Sequence, residues 1–445
     1  KHDPQDAKSV LRSAFLDVFQ GATSEEMNKY ATLDVAEVFK EDGLRAKAGT
    51  RRSSSEERQG KNAIKKKDIS VNLMADLALS AIDITQDGDE PVGYRLRGRT
   101  PGSQGGDFTA YLVRENGEYR LAGFDSSPAG LALRAFRLAE KNDVATARRW
   151  LDWAREHVSG GGDDPVASEP FAALWTRGRE ATLDEVRLAA AVLLPDTKKS
   201  SELALPVLIA ARETAAPDVQ WHIDQALLTS YVSLEKWPEM LATAERLAER
   251  FPDSGAAFRH VYFALNKLGR DAEVPKRAQA RLEKFPGDMA ALQVLGEHAL
   301  EHGAYADAAR YFAGVLERTS ATPGDYNQHA WTALFANEDL EKAIEEARHA
   351  VTKAPESYAI LNTLAVLYAE HGQSTEARET LLQSVEKHDD DEIQPSDWYV
   401  VGRIAENYGI NDAAMEAYQK IEKPKERVSG TTWELAQGRL KGMKR

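Results

Sequence analysis

His298, Glu301 and His302 are the residues whose types and spacing come nearest to a catalytic pattern, because they follow the order H-x-x-E-H. Two histidines four positions apart lie on one face of a helix, and this order occurs in one class of zinc peptidases. Here the pentapeptide directly precedes Gly303, inside an amphipathic helical pattern, and no surrounding domain is evident that would supply a third ligand and a substrate cleft. We therefore predict no metal site and no catalysis at this position.

Other patterns of catalytic residues are absent from the sequence. It contains no G-x-S-x-G segment, no phosphate-binding glycine loop and no G-x-G-x-x-G that opens a helix after a strand. The acids of 388–392 are more simply a solvated linker than a site, and the acids of 160–165 lack the ordered ligand spacing of a calcium loop. We predict a protein that is not an enzyme and that requires no cofactor.

Composition restricts the possible partners and locations. The 445 residues include 71 acidic and 57 basic residues, a net charge of −14, which repels nucleic acid and anionic membranes on average. We predict no nucleic-acid binding, and no stretch approaches the roughly 18 apolar residues of a membrane span. The absence of cysteine excludes disulfides and thiolate chemistry. A cytoplasmic and an exported location both stay open, as does an export signal or upstream domain removed before Lys1.

A short pattern recurs six times from about Trp221 to Pro424, with a period near 34 residues. Each unit reads as two amphipathic helices, whose apolar stripe is covered only when the next pair stacks on it. The period therefore predicts a solenoid of helix pairs. Glycines mark the middle of the units, small residues follow about five positions later, and prolines close several units. These residues are Gly269, Gly303, Gly372 and Gly409; Ala308, Ala343, Ala377 and Ala414; and Pro252, Pro286 and Pro355.

The recurring residues resemble the tetratricopeptide repeat (TPR) family, whose pattern is W-x2-L-G-x2-Y, then A-x3-F, then P. Four positions depart from it: Val274 replaces the small residue, Glu235 and Glu338 replace the turn glycine, and Ser320 replaces the proline. The resemblance implies a scaffold that binds other chains. The matching residues are Leu292, Leu295, Gly296, Ala308 and Phe312; Trp398, Val401, Gly402, Ala414 and Tyr418; and Leu361, Leu364, Ala365, Tyr368, Ala377 and Leu381.

The N-terminal part has a different periodicity. Helical spacing predicts helices at about 4–20 and from Ser24 to Lys40. Alternation predicts strands at 69–84, 92–99, 108–114 and 118–124, the last two joined by the turn residues 115–117. This element order is similar to that of the NTF2-like family.

A basic segment, 43–67, separates the predicted helices from the strands. It contains nine basic and two acidic residues, a local charge of +7. We interpret it as a solvated, partly disordered loop. A docking site for an acidic surface or nucleic acid, and docking on the acidic solenoid, are the alternatives.

The fold class that follows is mainly α, a TPR-type helical solenoid preceded by a small α+β domain. We predict this small domain at 1–127, irregular or first TPR-like hairpins at 128–220 with an isolated repeat at about 128–157, and six repeats at 221–428. Two helices at about 171–194 and 202–214 bridge to the regular repeats. Residues 429–445 are expected to form a capping helix, because a solenoid needs a polar end.

The predicted function is a non-enzymatic scaffold that binds a protein or peptide in the concave groove. The alternative is a C-terminal accessory region or subunit of a larger bacterial exported enzyme, and a small-molecule pocket within 1–127 is a third reading. The lysine and asparagine clamp that some family members use for a C-terminal carboxylate is not matched. The groove positions, taken from the face of each first helix that avoids the packing stripe, are Gln225, Thr229, Arg259, Phe263, Gln293, Glu297, Gln328, Thr332, Asn362, Tyr399 and Arg403.

Overall fold

The structure is a computed structural model, and it describes residues 3–19, 22, 24–39, 83–90, 92–99, 107–125, 128–156, 181–387, 393–425 and 427–443. Contacts divide the chain into two compact units, with the main boundary in sequence between Thr243 and Ala244. The predicted basic segment 43–67, the linkers 160–165 and 388–392, and most of the predicted strand 69–84 lie outside the described residues.

The first unit combines a small sheet with helices on both sides of it in sequence. Its described elements in chain order are α1 (Ala7–Phe19), α2 (Ser24–Met27), a 3₁₀ turn (Asn28–Tyr30), α3 (Leu33–Val38), β1 (Thr85–Asp89), β2 (Gly93–Arg99), β3 (Asp107–Glu115), β4 (Glu118–Phe124), α4 (Pro128–Glu140), α5 (Val144–Arg155), α6 (Leu183–Leu193), α7 (Lys198–Arg212), α8 (Pro217–Ser233) and the first half of α9 (Trp237–Arg250).

The four strands form one antiparallel sheet in chain order. The predicted hairpin is confirmed: Asn116 and Gly117 have φ values of 53° and 82°, the left-handed backbone that a two-residue hairpin turn of this hand requires. Helices α1 and α4 pack on β4, and the ring of Phe15 lies 5.0 Å from that of Phe108 on β3. Helices of its own unit thus cover the sheet along β3 and β4, where four consecutive residues of each strand are buried.

The predicted continuous helix from Ser24 to Lys40 is interrupted. Ala31 forms an isolated bridge with Leu121, and the Thr32 amide donates to the Leu121 carbonyl at 2.8 Å. The Thr32 side chain then caps α3 by accepting from the Val35 amide. Pairing with the sheet is possible only for extended backbone, so tertiary contact overrides the helical periodicity here.

The second unit is a series of antiparallel helix pairs. Its first helices begin at steps of 34, 34, 35 and 37 residues. The last four of them pack on their own second helices, and consecutive pairs pack on each other. The predicted solenoid is confirmed. The elements are the rest of α9, α10 (Gly255–Lys267), a 3₁₀ turn (Asp271–Glu273), α11 (Val274–Lys284), α12 (Met289–Glu301), α13 (Tyr305–Leu316), α14 (Pro323–Ala336), α15 (Leu340–Lys353), α16 (Tyr358–Glu370), α17 (Ser374–Glu386), α18 (Pro395–Asn407), α19 (Asn411–Gln419) and α20 (Thr432–Met443).

Small residues set the distance between paired helices. A Cβ atom on Gly296 would lie 2.6 Å from the ring of Phe312, and one on Gly402 would lie 2.5 Å from the ring of Tyr418. Both distances are shorter than van der Waals contact, so only glycine allows the aromatic ring of the second helix to seat against the first. This packing of glycine against an aromatic ring explains why these positions recur with the period.

The turns between paired helices use left-handed backbone. The predicted glycines adopt it, with φ between 66° and 82° at Gly269, Gly303, Gly372 and Gly409. Where glycine is missing, Glu235 has φ 55° and Asn337 has φ 53°. The turn residue of the α14–α15 pair is therefore Asn337, one position before the predicted Glu338.

Candidate functional site

The eleven positions predicted to face a partner lie on first helices but differ strongly in exposure. Gln225 and Thr229 belong to the first unit, and the other nine belong to the second. The four exposed side chains are Thr229, Arg259, Phe263 and Glu297. The three half-buried ones are Gln225, Gln293 and Gln328. The four buried ones are Thr332, Asn362, Tyr399 and Arg403.

Two of the amide side chains link consecutive first helices. Gln293 donates from Nε2 to Asp325 at 2.6 Å, and Asn362 donates from Nδ2 to Asp397 at 2.7 Å. Asp325 and Asp397 occupy the same position, the third residue of α14 and α18, where each also takes part in a capping box. Since an acid at this position already satisfies backbone donors, the amide extends the cap into a contact between repeats.

Tyr399 and Arg403 converge on one acid, Glu370 at the end of α16. The Tyr399 hydroxyl donates to Glu370 at 2.5 Å, and Arg403 Nε lies 2.7 Å from the same carboxylate. Burial raises the pKa of Tyr399, and the Glu370 charge raises it further, so the phenol remains a donor. Arg439 of α20 pairs with the same carboxylate.

Four of the predicted groove residues are therefore held by the chain itself. Thr332 is fully buried and donates its hydroxyl to the Gln328 carbonyl at 2.8 Å, while Asn362, Tyr399 and Arg403 are only 4 %, 1 % and 6 % exposed. These four side chains are buried and do not face an open groove. The sequence did not show this, since periodicity alone cannot separate a groove position from a polar contact between repeats.

The C-terminal segment, defined here as residues 427–443, accounts for part of this covered wall. Helix α20 packs on α18 and α19, as a terminal helix would, but the segment also contacts α12, α13, α14 and α16. The chain thereby covers part of its own first-helix surface. The contacts are Arg427 with Glu301 at 3.2 Å, the Trp331 indole donating to the Gly430 carbonyl at 3.0 Å, the Tyr305 hydroxyl donating to Glu434 at 2.5 and 2.6 Å, and Arg439 with Glu370.

The open part of the wall lies on α10 and α12. Phe263 is 40 % exposed on α10, one helical turn from exposed Arg259, and exposed Glu297 lies on α12. Crowding by protein atoms raises the pKa of Glu297, and the Glu301 carboxylate raises it further, although Arg427 and Arg259 act in the opposite direction. This part presents an aromatic ring, a cation and an acid on two adjacent first helices.

The histidine pair found in the sequence forms a second cluster in the same unit. The rings of His298 and His302 stack with centroids 4.1 Å apart at the end of α12. Asp271, in the 3₁₀ turn before α11, places a carboxylate oxygen 3.0 Å from His302 Nε2. Burial lowers the pKa of His298, and His302 lowers it further.

Sequence reasoning missed Asp271, which lies beside the two histidines and offers a third potential ligand. Asp271, His298 and His302 offer ligand atoms within 4.8 Å of one another. Asp271 precedes His302 by 31 residues, close to one repeat period. Because neighbouring repeats stack, a residue just after one turn lies beside the helix end of the next repeat, and this spacing is the signal that was available.

Searches against known proteins agree with the repeat geometry. Residues 334–394 match the family model described as tetratricopeptide repeat. No curated protein matches the sequence. Within the described residues, no helix combines the length and apolar character needed to cross a membrane.

Three solved structures illustrate the structural similarity. YrrB, a TPR protein with an unusual peptide-binding site, has 15% identity and a TM-score of 0.33 over 44% of this chain and 97% of that chain. A TPR protein from Parabacteroides merdae has 14% identity and a TM-score of 0.35 over 72% of this chain and 99% of that chain. Human IFIT1, in a dimer with m7Gppp-AAAA, has 16% identity and a TM-score of 0.38 over 71% of this chain and 81% of that chain.

The family match lies within a run of helix pairs whose first helices begin 34 to 37 residues apart. The same packing of glycine on an aromatic ring occurs on both sides of it, at Gly296 and Gly402. These observations show a solenoid of helix pairs in which residues 334–394 match the tetratricopeptide repeat family.

Proposed function

We propose that this protein is a non-catalytic scaffold that binds a protein or peptide partner on the α10–α12 wall, defined by Arg259, Phe263 and Glu297. The observation that carries the proposal is the exposure of Phe263, 40 % on a helix whose other face is packed into the solenoid. Aromatic and arginine side chains are enriched in the cores of protein interfaces. Rigid helices hold both side chains in place before a partner arrives.

The C-terminal segment covers other first helices of the second unit, and this bears on where a partner can bind. The C-terminal segment contacts Glu301, Trp331 and Glu370 on three successive first helices. A partner would need to displace it to reach α14 or α16. Arg427 of that segment contacts α12 at Glu301, one turn beyond Glu297, yet within the described residues Arg259, Phe263 and Glu297 stay exposed, and this favours the α10–α12 wall as the docking surface.

The chemistry of the wall favours a protein over a nucleic acid. Glu297 and Glu301 lie one turn apart on α12 and raise the pKa of neighbouring Tyr262 through their charges, in addition to its burial. Carboxylates at this position would repel a phosphate backbone. An extended peptide could donate its amides to Glu297, accept from Arg259 and place an apolar side chain on Phe263.

The test uses the full-length protein, immobilised and exposed to extract from its native source, with captured proteins identified by mass spectrometry. The Phe263→Ala and Arg259→Ala variants should each retain at most about a tenth of the captured partner, since loss of one hot-spot side chain weakens binding by about 2 kcal/mol or more. Arg310→Ala is the matched control, because Arg310 is an exposed arginine on the second helix α13. Equal capture by all variants would contradict the proposed wall.

A further inference from the structure

The cluster of Asp271, His298 and His302 contains three potential metal ligands from two neighbouring repeats. His298 and His302 lie four positions apart at the end of α12, and Asp271 follows the turn after α10. Their ligand atoms all lie within 4.8 Å of one another. Ligand atoms about 2.1 Å from a tetrahedral zinc ion lie about 3.4 Å apart, so side-chain rotations alone would bring them to bonding positions.

The hydrogen bonds of His302 leave one ring nitrogen in an unusual environment. Its Nδ1 lies 2.8 Å from the His298 carbonyl and can only donate there. In a neutral ring Nε2 then carries a lone pair, yet it lies 3.0 Å from a carboxylate oxygen of Asp271, which is also an acceptor. Two acceptors at this distance need a cation between them or a protonated imidazole.

His298 supplies the second observation. Its Nε2 atom is buried and makes no hydrogen bond within the described part of the chain. A buried ring nitrogen without a partner loses its solvation and gains nothing in return. The His298 ring stacks on the His302 ring with an interplanar angle of 19°, so the two ring planes are nearly parallel. A shared ion satisfies this nitrogen and the acceptor pair together.

We propose that Asp271, His298 and His302 bind a divalent transition-metal ion of the zinc type. Two imidazoles and one carboxylate suit Zn²⁺, whereas Ca²⁺ and Mg²⁺ take oxygen ligands. The contact of His302 Nδ1 with a backbone carbonyl is the outer-shell bond that orients a metal-binding imidazole and fixes Nε2 as the ligand. A water molecule would complete the tetrahedron.

The ion would join repeats and would not hydrolyse a substrate. It would connect the turn between α10 and α11 to the end of α12. Helices α10 and α12 are the two first helices that carry the α10–α12 wall. Glu301, the acid of the H-x-x-E-H order, is engaged by Arg427 at 3.2 Å, so it is not placed as a free base beside the ion. This inference does not depend on the proposed partner.

The test is isothermal titration of ZnCl₂ into the full-length, chelator-treated protein, together with its thermal midpoint. We expect one equivalent of tight binding and a midpoint that rises by several degrees with excess Zn²⁺, because an ion that binds only the folded state stabilises it. His298→Ala, His302→Ala and Asp271→Asn should each weaken binding at least tenfold. His371→Ala, which removes another histidine at the end of a first helix, should bind as the wild type does.

Co²⁺ provides a second readout that does not depend on stability. The wild type should show the visible absorption of four-coordinate Co²⁺, and the three ligand variants should not. Absence of saturable Zn²⁺ binding, or equal affinity in the wild type and ligand variants, would overturn the proposal and leave a protonated His302 paired with Asp271.

Discussion

Gly296 and Gly402 determine how closely two helices of a repeat approach. In each pair an aromatic ring of the second helix occupies the volume that a side chain on the glycine would fill. The Tyr418 ring is also anchored, because its hydroxyl donates to Glu406 at 2.8 Å. Burial raises the pKa of Tyr418, and the Glu406 carboxylate raises it further. The ring therefore has little freedom to move away from an added methyl group.

Gly402→Ala should lower the free energy of unfolding by about 1–3 kcal/mol, the usual cost of overpacking a core. The new Cβ would lie 2.5 Å from the Tyr418 ring. Gly438→Ala is the control, because a Cβ there meets no atom within 4 Å on helix α20, and it should stabilise by about 0.5–1 kcal/mol. Urea denaturation of both variants measures the difference. Equal effects would show that the ring contact is not limiting.

Glu297 carries a pH dependence that a glutamine should remove. Its folded-state pKa is raised, mainly because protein atoms crowd the carboxylate of this otherwise exposed residue. At pH values below the pKa of Glu297 in the unfolded chain, its carboxyl is protonated in both the folded and the unfolded protein. As the pH rises from there to the pKa in the folded protein, the carboxyl ionises only in the unfolded protein, and the folded state loses stability. Glu297→Gln should therefore gain stability over the wild type between pH 4 and pH 7. The measurement is urea denaturation at both pH values, with Glu283→Gln, an exposed acid of α11, as the charge control. A constant difference between wild type and variant would contradict this.

At the scale of helices and turns, each helix pair from α8–α9 to α18–α19 is closed by one residue in the left-handed region. Glycine fills this position in four of the pairs, whereas Glu235 and Asn337 adopt the same backbone with a side chain. A residue other than glycine pays about 1–2 kcal/mol in this region because its Cβ approaches a carbonyl oxygen, and asparagine tolerates it better. The α8–α9 pair therefore has the most strained turn.

Glu235→Gly should raise the free energy of unfolding by about 0.5–1 kcal/mol, the relief of strain less the extra freedom of glycine in the unfolded chain. Glu235 is exposed, so no packing is lost. Lys236→Gly, at the next exposed position outside the left-handed region, should destabilise instead. Thermal unfolding of both variants gives the comparison, and destabilisation by both would mean that the turn is unstrained.

Repeated elements were predictable from the sequence, and contacts between distant segments were not. The helix pairs, their turn glycines and the β3–β4 hairpin follow from local spacing. The break at Ala31 depends on pairing with Leu121, ninety residues away. Likewise, Asn362 and Arg403 occupy the predicted faces, but only the structure reveals Asp397 and Glu370 as their partners. A polar residue at the right register can serve a partner or the solenoid itself.

On the scale of the whole molecule, the first-helix wall of the second unit is used in two ways. The C-terminal segment occupies the stretch near Glu301, Trp331 and Glu370, while Arg259 and Phe263 stay exposed. Glu370 holds the far end of this arrangement, since it receives Tyr399, Arg403 and Arg439. Glu406 contributes as well, since it pairs with Arg403 at 2.7 Å and with Arg439 at 3.8 Å.

Glu370→Gln should lower the free energy of unfolding by about 2 kcal/mol, because buried Arg403 would lose one of its two carboxylate partners and keep only Glu406. It should also increase proteolysis within 427–443, since Arg439 loses its ion pair. Glu356→Gln is the matched control: its pair with Lys387 is as close, at 2.7 Å, but Glu356 is 74% exposed, so the change should stay within about 1 kcal/mol. Similar losses in both variants would argue against the buried role of Glu370.

Hydrogen–deuterium exchange of the full-length protein, with and without its captured partner, tests the central claim most directly. The account predicts slower exchange in α10 and α12, with the backbone of α14, α16 and the C-terminal segment unchanged. Protection confined to the sheet of the first unit, or to the second helices α11 and α13, would contradict a partner site on the α10–α12 wall.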